Sequence, residues 1–437
     1  MVSKLRAALA RRKPNGSGAN RRTLVQAVAT LFAATALFAL VGCDKIPTWS
    51  EIVNGKKKDA APRPAAPVAK QAEAPKAAPA VPKPPEPPKK TSQETIAEWK
   101  TTPTNRRTDA MLAALASFPE ARDQITVLEL QLSPISDAGM AELPKFDKVE
   151  RLNISNVNYS NEALANVAQM KSVTAIAMTK GAQKEKHTDK GMGYLKQMKQ
   201  LTELYLDEAN LTPAGIAELA QMTQLEKLSV GYIGSFSDDN LQALSGLVNL
   251  KYLDISGSYV SDDGLKYLEP FTELEELKMA KMQAVRGRGL RDLVKNKGLR
   301  KLQVLTVYDN PYLQIEAYQG ISNIKSLVAL DVGAANCTNF AFENAMPPLK
   351  NLESLSVHQN DALSDPAMVQ AFPKLKKLKS VYFENNHLIS DASIPAFAKV
   401  KTLEAITLLH TAVTPSGAAR LKAKLKNCRI NYNGKML

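Results

Sequence analysis

From residue 125 onward, apolar residues recur in a six-residue frame, Leu-x-x-Leu-x-Leu. Clear copies are Leu201 to Leu206, Leu225 to Val230, Leu250 to Ile255 and Leu352 to Val357. The frame begins at Ile125, Val149, Val173, Leu201, Leu225, Leu250, Leu274, Leu302, Leu327, Leu352, Leu378 and Leu403, at intervals of 24 to 28 residues. Its alternating end has the period of a strand with one buried face. A second pattern follows: Ser or Thr, then Asp or Pro, any residue, Gly, and apolar residues three apart. Ser136 to Leu143 and Ser261 to Leu268 show it fully, and other copies start at Thr188, Thr212, Ser237, Ser364, Ser390 and Thr414. The hydroxyl predicts a helix N-cap. Asp or Pro suits the first helical position, where the acid meets the dipole and Pro loses no bond. The apolar residues share one helical face. One strand and one helix cannot enclose a core, whereas stacked copies can. The pattern therefore predicts a quasi-one-dimensional solenoid.

This arrangement resembles the bacterial leucine-rich repeat proteins, in particular the longer, helix-containing kind related to ribonuclease inhibitor. The resemblance covers residues 125–437. It implies an α/β horseshoe of about twelve repeats, with a parallel sheet on the concave face and helices on the convex face. At the ninth repeat position the family often has Asn or Cys. Here stand Ser133, Val157, Ala209, Ser258, Asn310, Asn360, Asn386 and Thr411, so an internal hydrogen-bond ladder is expected to be incomplete. Thr108 to Leu115 carries the helix signal without a strand frame before it, as an incomplete first repeat would. Residues 96–124, with Trp99, are expected to cap the first repeat, and Cys428 to Tyr432 to add a final strand. Cys337 falls at an apolar repeat position and is expected to be a buried thiol unpaired with Cys428.

Positions three, five and seven of each repeat are expected to point out of the sheet. Reading them off brings Glu203, Tyr205, Asp207, Tyr252, Asp254, Lys278, Tyr308, Asp331, His358 and Tyr382 onto the concave face. Tyrosine serves recognition well, because it covers area at low entropy cost and keeps a polar tip. Tyrosine also favours strands for their own sake. The expected ligand of this face is an unknown protein or peptide.

The start of the chain has a different grammar. Seven basic residues and no acidic one precede residue 43, and an apolar stretch runs from Leu24 to Val41. This is the build of a secretory signal. It ends in Leu40-Val41-Gly42-Cys43, which resembles the lipobox of bacterial lipoproteins. The resemblance implies diacylglyceryl transfer to Cys43, cleavage after Gly42, and a stable lipid anchor at a membrane. Asp44 follows, as in enterobacterial lipoproteins kept at the periplasmic face of the inner membrane. The alternative is an uncleaved transmembrane helix, for which the apolar stretch is just long enough. Both readings put the remainder outside the cytoplasm. Residues 43–95 are then the anchored N-terminus and a spacer. Within 59–90 stand ten Pro and ten Ala in 32 residues, which excludes helix and sheet and leaves an extended tether.

Charge looks informative until it is divided. The whole chain has 57 basic and 43 acidic residues, a formal +14. Half of that excess lies in residues 1–42, and residues 101–437 carry only +3. A nucleic-acid partner is therefore not expected. A local basic group, Arg286, Arg288, Arg291, Lys295, Lys297, Arg300 and Lys301, reads as a solvated convex face or as a contact for an anionic wall polymer. The latter makes an envelope scaffold or adhesion-type protein the alternative function. The four histidines, His187, His358, His387 and His410, fit no metal-ligand or catalytic spacing. No cofactor is expected, and the repeat leaves no room for a separate catalytic domain.

Overall fold

Each apolar frame forms a short strand at its third to fifth positions. The structure, a computed structural model, describes residues 90–179, 189–295 and 298–437. The first strands are β1 (Val127–Glu129), β2 (Arg151–Asn153), β3 (Ala175–Ala177), β4 (Glu203–Tyr205) and β5 (Lys227–Ser229). There follow β6 (Tyr252–Asp254), β7 (Glu276–Lys278), β8 (Val304–Thr306), β9 (Ala329–Asp331) and β10 (Ser354–Ser356). The last are β11 (Ser380–Tyr382), β12 (Ala405–Leu408), β13 (Arg429–Tyr432) and β14 (Lys435–Met436). They form one open sheet in strict sequence order. β1 to β13 run parallel, and β14 turns back antiparallel against β13. The register does not slip: Leu204 stands opposite Leu228, and Leu228 opposite Leu253.

The fourth and sixth positions make the core. Leu204, Leu206, Leu228, Val230, Leu253 and Ile255 are fully buried. Each such leucine stabilises the fold by about 1.5–3 kcal/mol relative to exposure. Helices such as Pro213–Leu219, Asp238–Leu244 and Asp365–Ala371 return the chain between strands and bury their apolar residues in the same continuous core. Phe372, Phe383 and Phe397 form an aromatic knot near the C-terminal end, with ring centroids 4.9 to 6.0 Å apart. Cys337 and Cys428 are buried free thiols.

The hydroxyl caps form largely as expected. Ser136, Thr212 and Thr414 each accept from an amide of the helix they open. The aspartate beside the cap has a further role that the sequence did not disclose. Asp238 accepts from both the amide (2.7 Å) and the hydroxyl (2.6 Å) of Ser261, one repeat later. Asp109 holds Ser136, Asp189 holds Thr212, Asp365 holds Ser390 and Asp391 holds Thr414 in the same way. The motif glycine makes room for this clamp. A Cβ on Gly264 would stand 2.0 Å from Asp238 Oδ1, and one on Gly215 2.3 Å from Asp189 Oδ1. Asp238→Ala should therefore cost about 1–2 kcal/mol, the loss of two charge-assisted bonds at a part-buried site. Gly264→Ala should cost at least as much by displacing the same carboxylate. Urea midpoints measure both, and an unchanged midpoint would show the clamp to be idle.

At the eighth position the chain turns out of the strand through a left-handed residue. Leu132, Asn156, Glu208, Tyr232, Lys281, Asp309, Ala334, Gln359, Asn385 and His410 all have φ between 48° and 62°. Most side chains resist this conformation by about 1–2 kcal/mol. The compensation is a hydrogen bond to the next repeat: Glu208 N donates to Gly231 O, Tyr232 N to Ser256 O and Ala334 N to His358 O. The ladder is thus longer than the strands.

The expected ladder at the ninth position is present in the later repeats. Asn310, Asn360 and Asn386 are buried and bond main-chain groups of their own and the preceding repeat. At Ser133 and Thr411 the buried hydroxyl has no partner among the described residues.

The N-terminal cap begins earlier than the boundary expected at residue 96. Helix α1 (Ser92–Thr101) opens at Thr91, where Thr91 and Glu94 form a capping box that fixes the start. α2 (Asp109–Ser117) and α3 (Pro119–Asp123) follow. Arg107 closes the sheet edge: its guanidinium donates to Glu129 O on β1 (2.5 Å) and to Trp99 O (3.1 Å), and lies 4.4 Å from the Trp99 ring centre.

Residues 1–89 lie outside the described residues. With them lie Cys43, the apolar segment and the spacer, as do residues 180–188 and Lys297. No helix among the described residues is long and apolar enough to cross a membrane.

Candidate recognition surface

The strands turn their odd positions away from the helices, and all ten residues expected on that face are found there, each partly exposed. They fall into two groups. The first is centred on β4 to β7. Tyr205 and Tyr252 lie with ring centres 6.0 Å apart, across the intervening Ser229 strand. Lys278 Nζ sits 5.0 Å from the Tyr252 ring centre. Tyr205 donates to Glu203 Oε2 at 3.3 Å, and Tyr252 to Asp254 Oδ2 at 3.5 Å. Ser229 donates to Asp207.

Burial sets the electrostatics of this group. It pushes the Tyr205 phenol up to about 12, with the charge of Glu203 adding to the rise. It pushes Tyr252 up further, helped by Asp254. Burial raises Asp207, and the neighbouring charge of Asp254 raises it again. Glu276 is raised by burial against the opposing pull of Lys278. Burial also works on Glu203, but there the pairs with Lys227 (2.9 Å) and Arg151 (3.2 Å) outweigh it and hold the carboxyl low.

The second group is built around His358. Its imidazole lies between Tyr308 (5.2 Å) and Tyr382 (5.4 Å), centre to centre. Its Nδ1 is 2.8 Å from Ser356 Oγ and 4.0 Å from Asp331 Oδ1. Burial lowers His358 and raises Asp331, each working against their mutual attraction. Gly333 makes this placement possible, because a Cβ there would stand 2.0 Å from His358 Cε1.

Three features of the face escape a reading by odd positions. Gly231 and Gly333 matter through the side chain they lack, and the only signal for them is a gap at position seven. Tyr232, at position eight, is 44% exposed. Its ring crosses Gly257, where a Cβ would stand 2.4 Å from Tyr232 Cδ1. Burial raises its phenol, and the charges of Asp254 and Asp309 add to the rise.

Other candidates dissolve. His410 bonds Asn385 through its ring and lies apart from His358, and His387 is exposed. No group of three or more His, Cys, Asp or Glu among the described residues is placed to hold a metal ion. In the basic group, Arg288 pairs with Asp263, Arg291 with Asp292 and Lys301 with Glu273, while Arg286 stacks on Tyr312.

No protein-family model matches the chain, and no curated protein matches it. A chain of the yeast Rad7–Elc1 complex is similar over 68% of this chain and 83% of its own, at 16% identity and a TM-score of 0.44. An internalin from Listeria monocytogenes is similar over 74% of this chain and 93% of its own, at 20% sequence identity and a TM-score of 0.50. With the sequential parallel sheet and the repeat already described, that likeness establishes the architecture: the chain has the leucine-rich repeat fold.

Proposed function

We propose that this chain recognises a protein partner, without catalysis, on the exposed face of its sheet, and that it does so as a lipid-anchored protein of the bacterial envelope. The observation that carries the recognition reading is the pair of aromatic and acidic groups on that face, around Tyr205–Tyr252 and Tyr308–His358–Tyr382. Rings that are half-buried in the free protein lose little freedom when a partner covers them. The anchor reading rests on Leu40-Val41-Gly42-Cys43. A wall-polymer scaffold acting through the basic group gains little support, because three of those cations are already paired on the surface.

Crosslinking in the native cell tests the recognition reading. The double variant Tyr205→Ala/Tyr252→Ala should lose at least tenfold in partner recovery while remaining folded by circular dichroism, since aromatic anchors of an interface are worth about 2 kcal/mol or more. Unchanged recovery would remove this face as the binding surface. Cys43→Ser should abolish incorporation of a lipid label, and label retained on that variant would exclude the anchor.

A further inference from the structure

We propose that the loops entering β8 to β13 present a second surface, a ridge of cations that docks the repeat region against the anionic phosphate headgroups of a membrane. The ridge is separate from the sheet face, and it draws on the anchor reading above only for the nearness of a bilayer.

Two residues before its first apolar position, each of these repeats carries a cation: Arg300, Lys325, Lys350, Lys376, Lys401 and Lys426. All six are exposed and stand in the turn before their strand. Their direction follows from their neighbours. The residue before each one, Leu299, Ile324, Leu349, Leu375, Val400 or Leu425, is buried, and so is the frame residue two places after it. The main chain is pinned on both sides, and the side chain between has only solvent to enter. Bonds between repeats keep the row in line: Asn351 Nδ2 donates to Lys325 O (3.0 Å) and Thr402 Oγ1 to Lys376 O (3.3 Å). With strands ~4.8 Å apart, the row is about 24 Å long.

The fold does not require these cations, since the same position holds Asp123, Asp147, Thr223, Val248 and Thr272 in earlier repeats. Among the described residues none of the six pairs with a carboxylate, whereas Lys301 and Lys379 beside them do, with Glu273 and Glu353. Like charges crowd here: burial, and then the charge of Lys350, hold the Lys325 ammonium below its ordinary value. Exposed Lys374, Lys399 and Lys424 add a second rank in the last three turns. From two residues before each of the six to three after it, the chain has thirteen basic residues and two acidic ones. Residues 101–437 carry only +3 in all, so the rest of the repeat region is net negative.

The make-up of the ridge selects the partner. None of the large apolar side chains exposed among the described residues lies in these turns, so the ridge lacks the anchors that a protein interface or a stacked base would use. Lysine offers a point charge and not a planar fork, which suits a diffuse field better than one oriented phosphate. Two ranks make the patch broader than a single polymer strand. An anionic bilayer matches all three properties, and polybasic patches of this size are held at such surfaces. Docking by the strand-entry edge leaves the sheet face open to its own partner.

The test uses the full chain reconstituted into vesicles, either of phosphatidylcholine or of equal parts phosphatidylethanolamine and phosphatidylglycerol. Lysines are acetylated with a water-soluble ester, and peptide masses give the rate at each site. Lys325, Lys350, Lys376, Lys401 and Lys426 should react about fivefold more slowly on the anionic vesicles. Lys171 and Lys199, at the same position in earlier repeats, should react equally on both. Half-molar salt should remove the difference. The variant Lys325→Gln/Lys350→Gln/Lys376→Gln, checked for folding by circular dichroism, should let Lys401 and Lys426 react as they do on phosphatidylcholine. Equal rates at the ridge on the two vesicles overturn the proposal, and so does a slowing shared by Lys171 and Lys199. Stronger protection by inorganic polyphosphate, added to the phosphatidylcholine vesicles, also overturns it and assigns the ridge to a linear polyanion. Flotation separates the anchor reading. A chain that leaves phosphatidylcholine vesicles refutes the anchor, and labelling on the anionic vesicles, compared then with the chain in solution, still decides the ridge.

Discussion

Phe372→Ala should lower the stability of the repeat region by about 3–5 kcal/mol, the usual cost of emptying a buried phenylalanine site. Phe372 is fully buried and meets Phe397 edge-on at 4.9 Å and Phe383 at 6.0 Å. The two remaining rings already stack at 5.3 Å, so they cannot close on the cavity without breaking their own contact. In a stacked array each repeat touches only its neighbours, so the loss stays local. The expected result is a split transition, in which the repeats from β11 onward unfold in urea before the rest. Tryptophan emission from Trp99, at the opposite end of the array, should follow the later phase. A single transition at the wild-type midpoint would show that the knot contributes nothing particular.

Asn360→Ala should cost about 3 kcal/mol, chiefly by stranding the buried groups that its amide bonds. The Asn360 amide accepts from Cys337 N (2.7 Å) and donates to Val332 O (3.0 Å), Val357 O (2.9 Å) and His358 O (3.0 Å). Alanine leaves the buried Cys337 amide and the carbonyls around it short of partners, and each orphan costs about 1–3 kcal/mol. Water cannot readily repair the loss, since Asn360 is 2% exposed and Cys337 fully covered. Hydrogen exchange gives the direct readout: the Cys337 amide should lose most of its protection, while amides of β4 and β5 keep theirs. Full protection at Cys337 would mean that another acceptor serves it.

Much of this architecture was legible in the chain itself. Leu204, Leu206, Leu228 and Leu253 repeat with a period that only a strand buried on one face explains, so the sheet, its order and its outward residues could be read directly. Ser136 and Thr414 announced helix starts by chemistry. What remained hidden depends on the stacking distance between repeats. Asp238 looks like an acid placed for the helix dipole until Ser261 is brought beside it. Leu132 and Tyr232 carry no mark of a left-handed backbone, because the bond to the next repeat imposes the conformation. Tyr232 reaches the face from position eight for the same reason, and Gly231 matters only once Asp207 and Asp254 are seen to lean over it. The start of α1 at Ser92 was concealed by the proline-rich stretch before it, although Thr91 and Glu94 hold the capping pair.

The unslipping register from β1 to β13 has a consequence for any extended ligand. It turns the face into a ruler with a mark at every strand, ~4.8 Å apart, whereas an extended peptide shows same-side residues every ~6.7 Å. The two scales fall out of step and nearly coincide again only after three strands, when the ligand has advanced by four residues. Most marks must therefore go unread. Tyr205, Tyr252, Tyr308 and Tyr382 stand on or just beyond β4, β6, β8 and β11, at steps of two, two and three strands, so an extended ligand meets them only in part, and a shift by a single residue turns its other side to the face.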